Sequence, residues 1–255
     1  MIAISVQSGS NGNCIYVEAG GAKLLFDAGI SGKQAQQRLA EFGRDITEVD
    51  AVLISHDHSD HIRCAGVYQR KFGLPVYVSP PTLTQAQRYC DLGKLMDVTH
   101  FESGQQIAFG NAFVRTIRTP HDAADGVAFV VGDGSRSLGI FTDLGHPFAG
   151  LGEALGQLDA VFLESNYDPR MLDNGPYPQF LKQRIKGPHG HISNAEAAAL
   201  LRDWAGGRLK WAVLSHLSEQ NNTPQVCMQT HEAILSARFP LQVASRFEAT
   251  GLFEV

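Results

Sequence analysis

Six consecutive residues, His56-Asp57-His58-Ser59-Asp60-His61, constrain this chain more than any other segment. They follow a continuous apolar run, 51–55, of the kind that forms a strand buried on both faces. They precede an apolar-periodic stretch, 60–72, whose spacing predicts a helix closed by Gly73. The motif therefore sits where a buried strand hands over to a helix. A strand end lets His56 and His58, two residues apart, converge on one ion, and the turn into the helix re-aims Asp60 and His61 toward a second. Imidazole and carboxylate together suit zinc, manganese or iron better than calcium or magnesium. A single histidine near a core usually does no more than satisfy a backbone group. Three histidines and two aspartates in six residues point to chemistry.

The rest of the chain supplies a scaffold for such a site. Strands are expected at 2–6, 14–17 and 24–26, joined by Ser8-Gly-Ser-Asn-Gly-Asn13 and Ala19-Gly-Gly21, followed by a helix at 31–42. Further strands are expected at 76–78, 106–109, 112–116, 127–131, 138–141, 160–163, 212–214 and 243–247. The helical stretches are 82–92, 151–158, 194–204 and 224–239. Between them, 166–190 is a long Pro/Gly-rich stretch that reads as a functional loop. The two halves look alike, strands first and then strand–helix alternation. This predicts an α/β fold of four layers, αββα, with two mixed sheets packed on each other and helices outside. No linker or charge run divides the chain, so 1–255 is expected to form one domain.

Three more candidate ligands lie just past predicted strands: His121 in Thr-Pro-His-Asp, Asp143 ending Ile140-Phe-Thr-Asp, and His216 ending Val213-Leu-Ser-His. Each alone is weak, but their shared placement on one rim suits a preformed two-metal site. At these residues the sequence resembles the metallo-β-lactamase fold superfamily, whose His-x-His-x-Asp-His signature stands here as His56–His61. The resemblance implies one divalent metal held by His56, His58 and His121, a second by Asp60, His61 and His216, and Asp143 bridging both. It also implies a hydroxide bridging the ions as the nucleophile, and catalytic service from Asp60 beyond its ligand role.

The ligand set does not choose a substrate, since thioesterases, lactonases and nucleases share it. The second half is more specific. Leu163-Glu-Ser-Asn-Tyr-Asp168, Asn174-Gly-Pro-Tyr-Pro178, Leu181-Lys-Gln-Arg-Ile185, Gly190-His-Ile-Ser-Asn194 and His216-Leu-Ser-Glu-Gln-Asn-Asn222 resemble the YycJ/WalJ family. That likeness implies a metal-dependent 5′→3′ exonuclease acting on DNA ends, with mismatch-repair proteins as partners. A small-molecule thioesterase or lactonase is the alternative.

The residues carry a physical reading of their own. Ser193-Asn-Ala-Glu196 is a capping-box pattern whose helix start could receive a phosphate, which makes Ser193 and Asn194 candidate substrate contacts. His191 lies two residues earlier, placed to protonate a leaving oxygen, and Glu164 could orient it. Asn166 is expected beside the substrate. Lys182, Arg184 and Lys186 alternate, so on an extended segment they would form a cationic strip for phosphates. Tyr167 and Tyr177 are candidate stacking residues. Asp27, which ends Leu24-Leu-Phe-Asp, is expected to support a ligand loop.

Composition narrows the classes. A formal charge of −5 argues against binding nucleic acid or membranes through the whole surface. The four cysteines, Cys14, Cys64, Cys90 and Cys227, form no CxxC pair and suggest neither a disulfide framework nor a thiolate zinc ribbon. No basic-then-apolar leader opens the sequence, and no apolar run approaches the ~20 residues that span a bilayer. A cytoplasmic protein without membrane contact is the expectation.

Overall fold

The computed structural model of the chain describes residues 1–236 and 238–255. The first half opens with β1 (Ile2–Gln7), β2 (Cys14–Ala19) and β3 (Ala22–Phe26), then α1 (Gly32–Ala40) and β4 (Ala51–Leu53). It continues through α2 (Ser59–Ile62), α3 (Ala65–Phe72), β5 (Val76–Val78), α4 (Pro80–Ala86) and β6 (Val98–His100). The second half runs β7 (Gln106–Phe109), β8 (Ala112–Arg118), β9 (Val127–Gly132), β10 (Ser137–Phe141), α5 (Ala149–Leu155) and β11 (Ala160–Glu164). After α6 (Pro169–Asn174), α7 (Gln179–Lys186) and α8 (Asn194–Trp204) come β12 (Trp211–Ser215), α9 (Pro224–Leu235), β13 (Leu241–Val243) and β14 (Thr250–Glu254).

Among the described residues the strands form two seven-stranded mixed sheets, ordered β14-β1-β2-β3-β4-β5-β6 and β13-β12-β11-β10-β9-β8-β7. In each, an antiparallel meander passes into a parallel run: at β3–β4 in one sheet and at β10–β11 in the other. Strands buried on both faces distribute their side chains between layers with period two. Leu24, Phe26 and Leu53 face the core between the sheets, whereas Leu25 and Val52 face the layer of α1 and α3. Phe162 and Val213 join the central core, while Val161, Leu163 and Leu214 pack under α5, α8 and α9. The four-layer αββα sandwich is thus present, and its central core is shared by both sheets.

Several local expectations are corrected. The helix expected over 60–72 is two helices, α2 and α3. They part at Arg63-Cys64 because the Ala28 amide donates to the His61 carbonyl (2.6 Å) and the Cys64 amide to the Ala28 carbonyl (2.9 Å), a strap that replaces helical bonding there. The loop expected over 166–190 contains α6 and α7. Asp168 caps α6 by accepting from the Met171 amide, Pro169 opens it, and Leu172, Tyr177, Leu181 and Ile185 form a small core with Tyr167. The strand expected at 243–247 is β13, ending at Val243. The last strand is β14, which crosses back to pair with β1 in the other sheet. β6 was hidden in a polar segment. The helix expected at 224–239 ends at Leu235, and Ala237 lies outside the described residues.

Candidate metal centre

The site is built on the rim where parallel strands end. Asp27 follows β3, Asp143 follows β10 and His216 follows β12, and all three adopt left-handed backbone, with φ of 65°, 57° and 56°. Ser236 is the one other non-glycine described residue in that region. Such conformations cost of order 1–3 kcal/mol each and persist only where the surroundings over-determine them. Here they turn side chains back over the strand ends. At β4, Ile54 and Ser55 extend the strand to His56, and His58 stands at the N-cap of α2 without a side-chain cap bond. The first loop crosses this segment closely: the Asn13 amide donates to the Asp60 carbonyl at 2.8 Å, and a Cβ on Gly29 would lie 1.6 Å from that oxygen.

The folded chain brings together every expected donor. Ligand atoms of His56, His58 and His121 lie within 4.8 Å of one another, as do those of Asp60, His61 and His216. Asp143 stands between the two groups, with Oδ2 at 3.2 Å from His61 Nε2 and Oδ1 at 3.3 Å from His216 Nε2 and 3.6 Å from His121 Nε2. His56 Nε2 and Asp143 Oδ2 are buried without a hydrogen-bond partner. Orphaned buried polar atoms are costly, and two of them in one cluster of imidazoles and carboxylates fit a cation. The donor set, nitrogen and carboxylate oxygen with no thiolate, suits borderline divalent metals.

Outer contacts fix which ring nitrogen each histidine presents. His61 Nδ1 donates to Asp27 Oδ2 (2.7 Å), His121 Nδ1 to the Gly190 carbonyl (2.8 Å) and His216 Nδ1 to Asn13 Oδ1 (3.2 Å). The Ser55 hydroxyl donates to Asp27 (2.8 Å), so it accepts from His56 Nδ1 at 2.9 Å. These four rings turn Nε2 inward. His58 is reversed: its Nε2 meets the Asp122 carbonyl at 3.2 Å, and its Nδ1 faces His121 at 3.3 Å. Fixing the tautomer in this way raises ligand basicity.

Burial pushes His56, His121 and His216 below the usual imidazole range, the neutral state a metal needs. Burial works the other way on Asp60 and Asp143, but the neighbouring imidazoles (His61 first at Asp60, His216 first at Asp143) hold both below the usual carboxylate range. Burial also opposes charge on His61, yet Asp143, Asp27 and Asp60 together raise it well above the ordinary value.

Beside the cluster, Glu164 is fully buried at the end of β11. Its Oε1 accepts from His191 Nδ1 at 2.6 Å, and its Oε2 from the amides of Leu144 (3.0 Å) and Ile192 (3.3 Å). Burial disfavours a charged His191, but Glu164, with Asp143 and Asp60 behind it, raises the imidazole to about 9. His191 and the donors His58, Asp60, Asp143 and His216 line a cleft of about 230 Å³. A larger cavity of about 530 Å³ beside Arg115, Arg136 and Arg208 contains none of the donors.

The expected substrate contacts divide. Asn166 and Arg184 line the cleft, Asn166 also donating to the His216 carbonyl at 2.8 Å. Ser193 and Asn194 are buried and do not line it. The Asn194 amide donates to the Tyr167 carbonyl (2.9 Å), and the amides of Glu196 and Ala197 donate to Ser193, so these donors at the start of α8 are already committed. The cationic strip is also corrected. On α7 the alternating residues diverge: Lys182 donates to the Asp173 carbonyl and Lys186 pairs with its carboxylate, whereas Arg184 Nε meets Asp122 Oδ2 at 2.6 Å beside the cleft. Tyr177 lines the cleft and Tyr167 is buried. Sequence reasoning missed Ser55, Asn13 as a support of His216, and Asp122, although Asp122 adjoins a proposed ligand. It also left Asp57 without a role. The structure buries Asp57 against the Tyr89 hydroxyl and the Ala124 amide, so it ties loops together.

A family profile described as "Beta-lactamase superfamily domain" matches residues 22–217. The chain is 36% identical over 225 residues to a protein of Streptococcus pneumoniae serotype 2 named exodeoxyribonuclease WalJ, covering 88% of this chain and 84% of that one. It is 32% identical over 231 residues to the exodeoxyribonuclease YycJ of Bacillus anthracis, covering 91% and 88%. Among solved structures, the metallo-β-lactamase fold protein YhfI of Bacillus subtilis superposes with a TM-score of 0.74 at 18% identity, covering 100% of this chain and 98% of that one.

Proposed function

The chain belongs to the metallo-β-lactamase-fold superfamily and, within it, to the family of the WalJ and YycJ exodeoxyribonucleases, and on that premise we propose that it degrades DNA as a metal-dependent phosphodiesterase. The observation that carries this reading is the likeness over most of the chain to proteins named for that activity. The small-molecule thioester or lactone alternative has no comparable support. We propose further that the whole chain acts as one domain, digests from 5′ to 3′, serves mismatch repair and works in the cytoplasm. Among the described residues no helix is long and apolar enough to cross a membrane.

His56, His58 and His121 would hold one divalent ion, and Asp60, His61 and His216 a second, with Asp143 between them. Zinc, manganese and iron all suit these donors. Bound there, such ions would supply Lewis acidity toward a phosphodiester and toward water. The protein's own groups do the rest. Asp60 lines the cleft and is held in its ionised form, so it can accept a proton from the attacking water. His191, charged at neutral pH through Glu164, presents Nε2–H to the leaving oxygen as the bond from phosphorus breaks. Glu164 acts through His191 and is a positioning residue. Arg184, with guanidinium donors beyond the one given to Asp122, holds a phosphate of the strand. Asn166 keeps the His216 backbone in its turned conformation.

The test is digestion of end-labelled single- and double-stranded DNA with added manganese or zinc. Metal-dependent release of nucleotides from wild type, abolished in His58→Ala, is expected. An inactive wild type, or a fully active His58→Ala, would sink the reading.

A further inference from the structure

Ser218, two residues beyond His216, lines both the metal cleft and a second groove of about 540 Å³. The far wall of that groove is the loop between β13 and β14, which is tied to the metal rim. The Ser8 amide donates to the Ser245 carbonyl (3.0 Å), and Ser8 Oγ accepts from the His216 amide (2.8 Å). Within the loop, Ser245 Oγ accepts from the amides of Phe247 (3.1 Å) and Glu248 (3.3 Å). Arg246 reaches back to the Leu217 carbonyl at 3.2 Å, and Arg38 donates to the Phe247 carbonyl. On this anchored loop Phe247 is nonetheless 74% exposed. The backbone of this loop is fixed, and Phe247 stands largely in water, with the Arg246 guanidinium carbon 6.0 Å from its ring centroid.

The lining decides what the groove can take. Arg246 is paired with Glu219 at 2.9 Å, and Glu248 adds a second carboxylate, so no net positive charge awaits a phosphate. Leu217, Pro224 and Val243 give apolar walls, with Asn222 and Thr223 as neutral polar groups. A flat, uncharged, partly polar ring fits such a lining, and the groove adjoins the metal cleft: Ser218 lines both, and Ser8 on the groove side is bonded to the His216 amide.

We propose that this groove is the base-binding subsite of the substrate strand, with Phe247 stacking on the nucleobase next to the scissile phosphodiester. The proposal rests on the nuclease reading above. Stacking of one base on an aromatic side chain carries a substantial share of single-strand affinity and tolerates any base. Phe247→Ala is therefore expected to raise KM for an oligonucleotide by about tenfold while kcat stays within about twofold, because the loss is one of substrate binding. Being exposed, the residue can be removed without unfolding the chain.

The experiment measures kcat and KM of wild type, Phe247→Ala, Phe247→Leu and Phe247→Trp on a single-stranded oligonucleotide and on the same oligonucleotide with an abasic residue next to the scissile phosphodiester. Quenching of 2-aminopurine placed successively along a bound strand is read in parallel with His58→Ala protein. Expected are a raised KM for the intact oligonucleotide in the Ala and Leu variants, rescue by Trp, no change on the abasic substrate, and position-specific quenching that disappears in a His58→Ala/Phe247→Ala double variant. An unaltered KM in Phe247→Ala, full rescue by Leu, or equal losses on both substrates would overturn the stacking proposal while leaving the nuclease reading intact. A wild type that degrades no DNA would overturn both.

Discussion

Asp27 Oδ2 lies 2.7 Å from His61 Nδ1, and neither residue is open to solvent. The carboxylate stands on left-handed backbone at the end of β3, and Ser55 donates to it with both its amide and its hydroxyl at 2.8 Å. One buried acid therefore sets the tautomer of His61 directly and, through Ser55, that of His56. A ligand from each proposed metal group depends on it.

Asp27→Asn should weaken metal binding without collapsing the fold. Asparagine tolerates the left-handed conformation, so the change removes charge and leaves the backbone alone. Losing such an outer partner typically costs 10–100-fold in metal affinity. Zinc titration against a competing chelator should show about that loss, with little change in the melting of the metal-free chain. Unchanged affinity would mean that Asp27 only supports the loop.

The Glu164–His191 pair has a pH signature. The imidazole rises from 6.5 to about 9 in the folded chain, so its pairing stabilises the fold fully below pH 6.5 and loses that contribution as pH rises through about 9. In metal-free protein, NMR titration should place His191 well above an ordinary histidine, and Glu164→Gln should bring it down. Urea unfolding should show wild type losing stability between those limits and the variant losing less. A His191 that titrates normally in wild type would contradict the assignment.

What the sequence revealed follows the range of each interaction. His56, His58, Asp60 and His61 are neighbours in the chain, and Asp143 and His216 close strands, so local spacing exposed them. Gly29 was not legible as a site residue, because the Asp60 carbonyl it faces lies about 30 positions away in sequence, and the partners of Asn13, Asp60 and His216, lie farther from it still. The strip of Lys182, Arg184 and Lys186 was misread for a different reason. Pro and Gly at 175–178 and 187–188 masked an eight-residue helix, and a helix sends alternate residues to different faces. β14 escaped notice because its partner is β1, at the other end of the chain.

Gly29→Ala should damage fold and site together. The added methyl would meet the Asp60 carbonyl oxygen at 1.6 Å and the Asn13 nitrogen at 2.6 Å, and both are backbone atoms that cannot turn aside. Relief requires moving α2, which carries Asp60 and His61. A loss at or above the ~1–3 kcal/mol usual for overpacking is expected in chemical unfolding, together with reduced metal content per chain. Gly43→Ala offers a control, since nothing lies within 4 Å of a Cβ there, although its φ of 68° adds backbone strain of its own. If Gly29→Ala melts like wild type and binds metal normally, the close crossing does not hold the site.

Arg184 and Lys182 should behave differently toward DNA although they are two residues apart. Arg184 lines the cleft and spends Nε on Asp122, leaving its other donors for a phosphate. Lys182 is tied to the Asp173 carbonyl at 2.8 Å and does not line the cleft. Each phosphate neutralised on a single strand contributes about −0.7 to the slope of log K against log salt. Anisotropy of a labelled single strand, measured across a salt series with His58→Ala protein, should give a slope shallower by about that amount when Arg184 is changed to Ala. Lys182→Ala should leave the slope where it was. Equal effects from the two substitutions would restore a continuous cationic strip and remove the helix geometry as the reason for the difference.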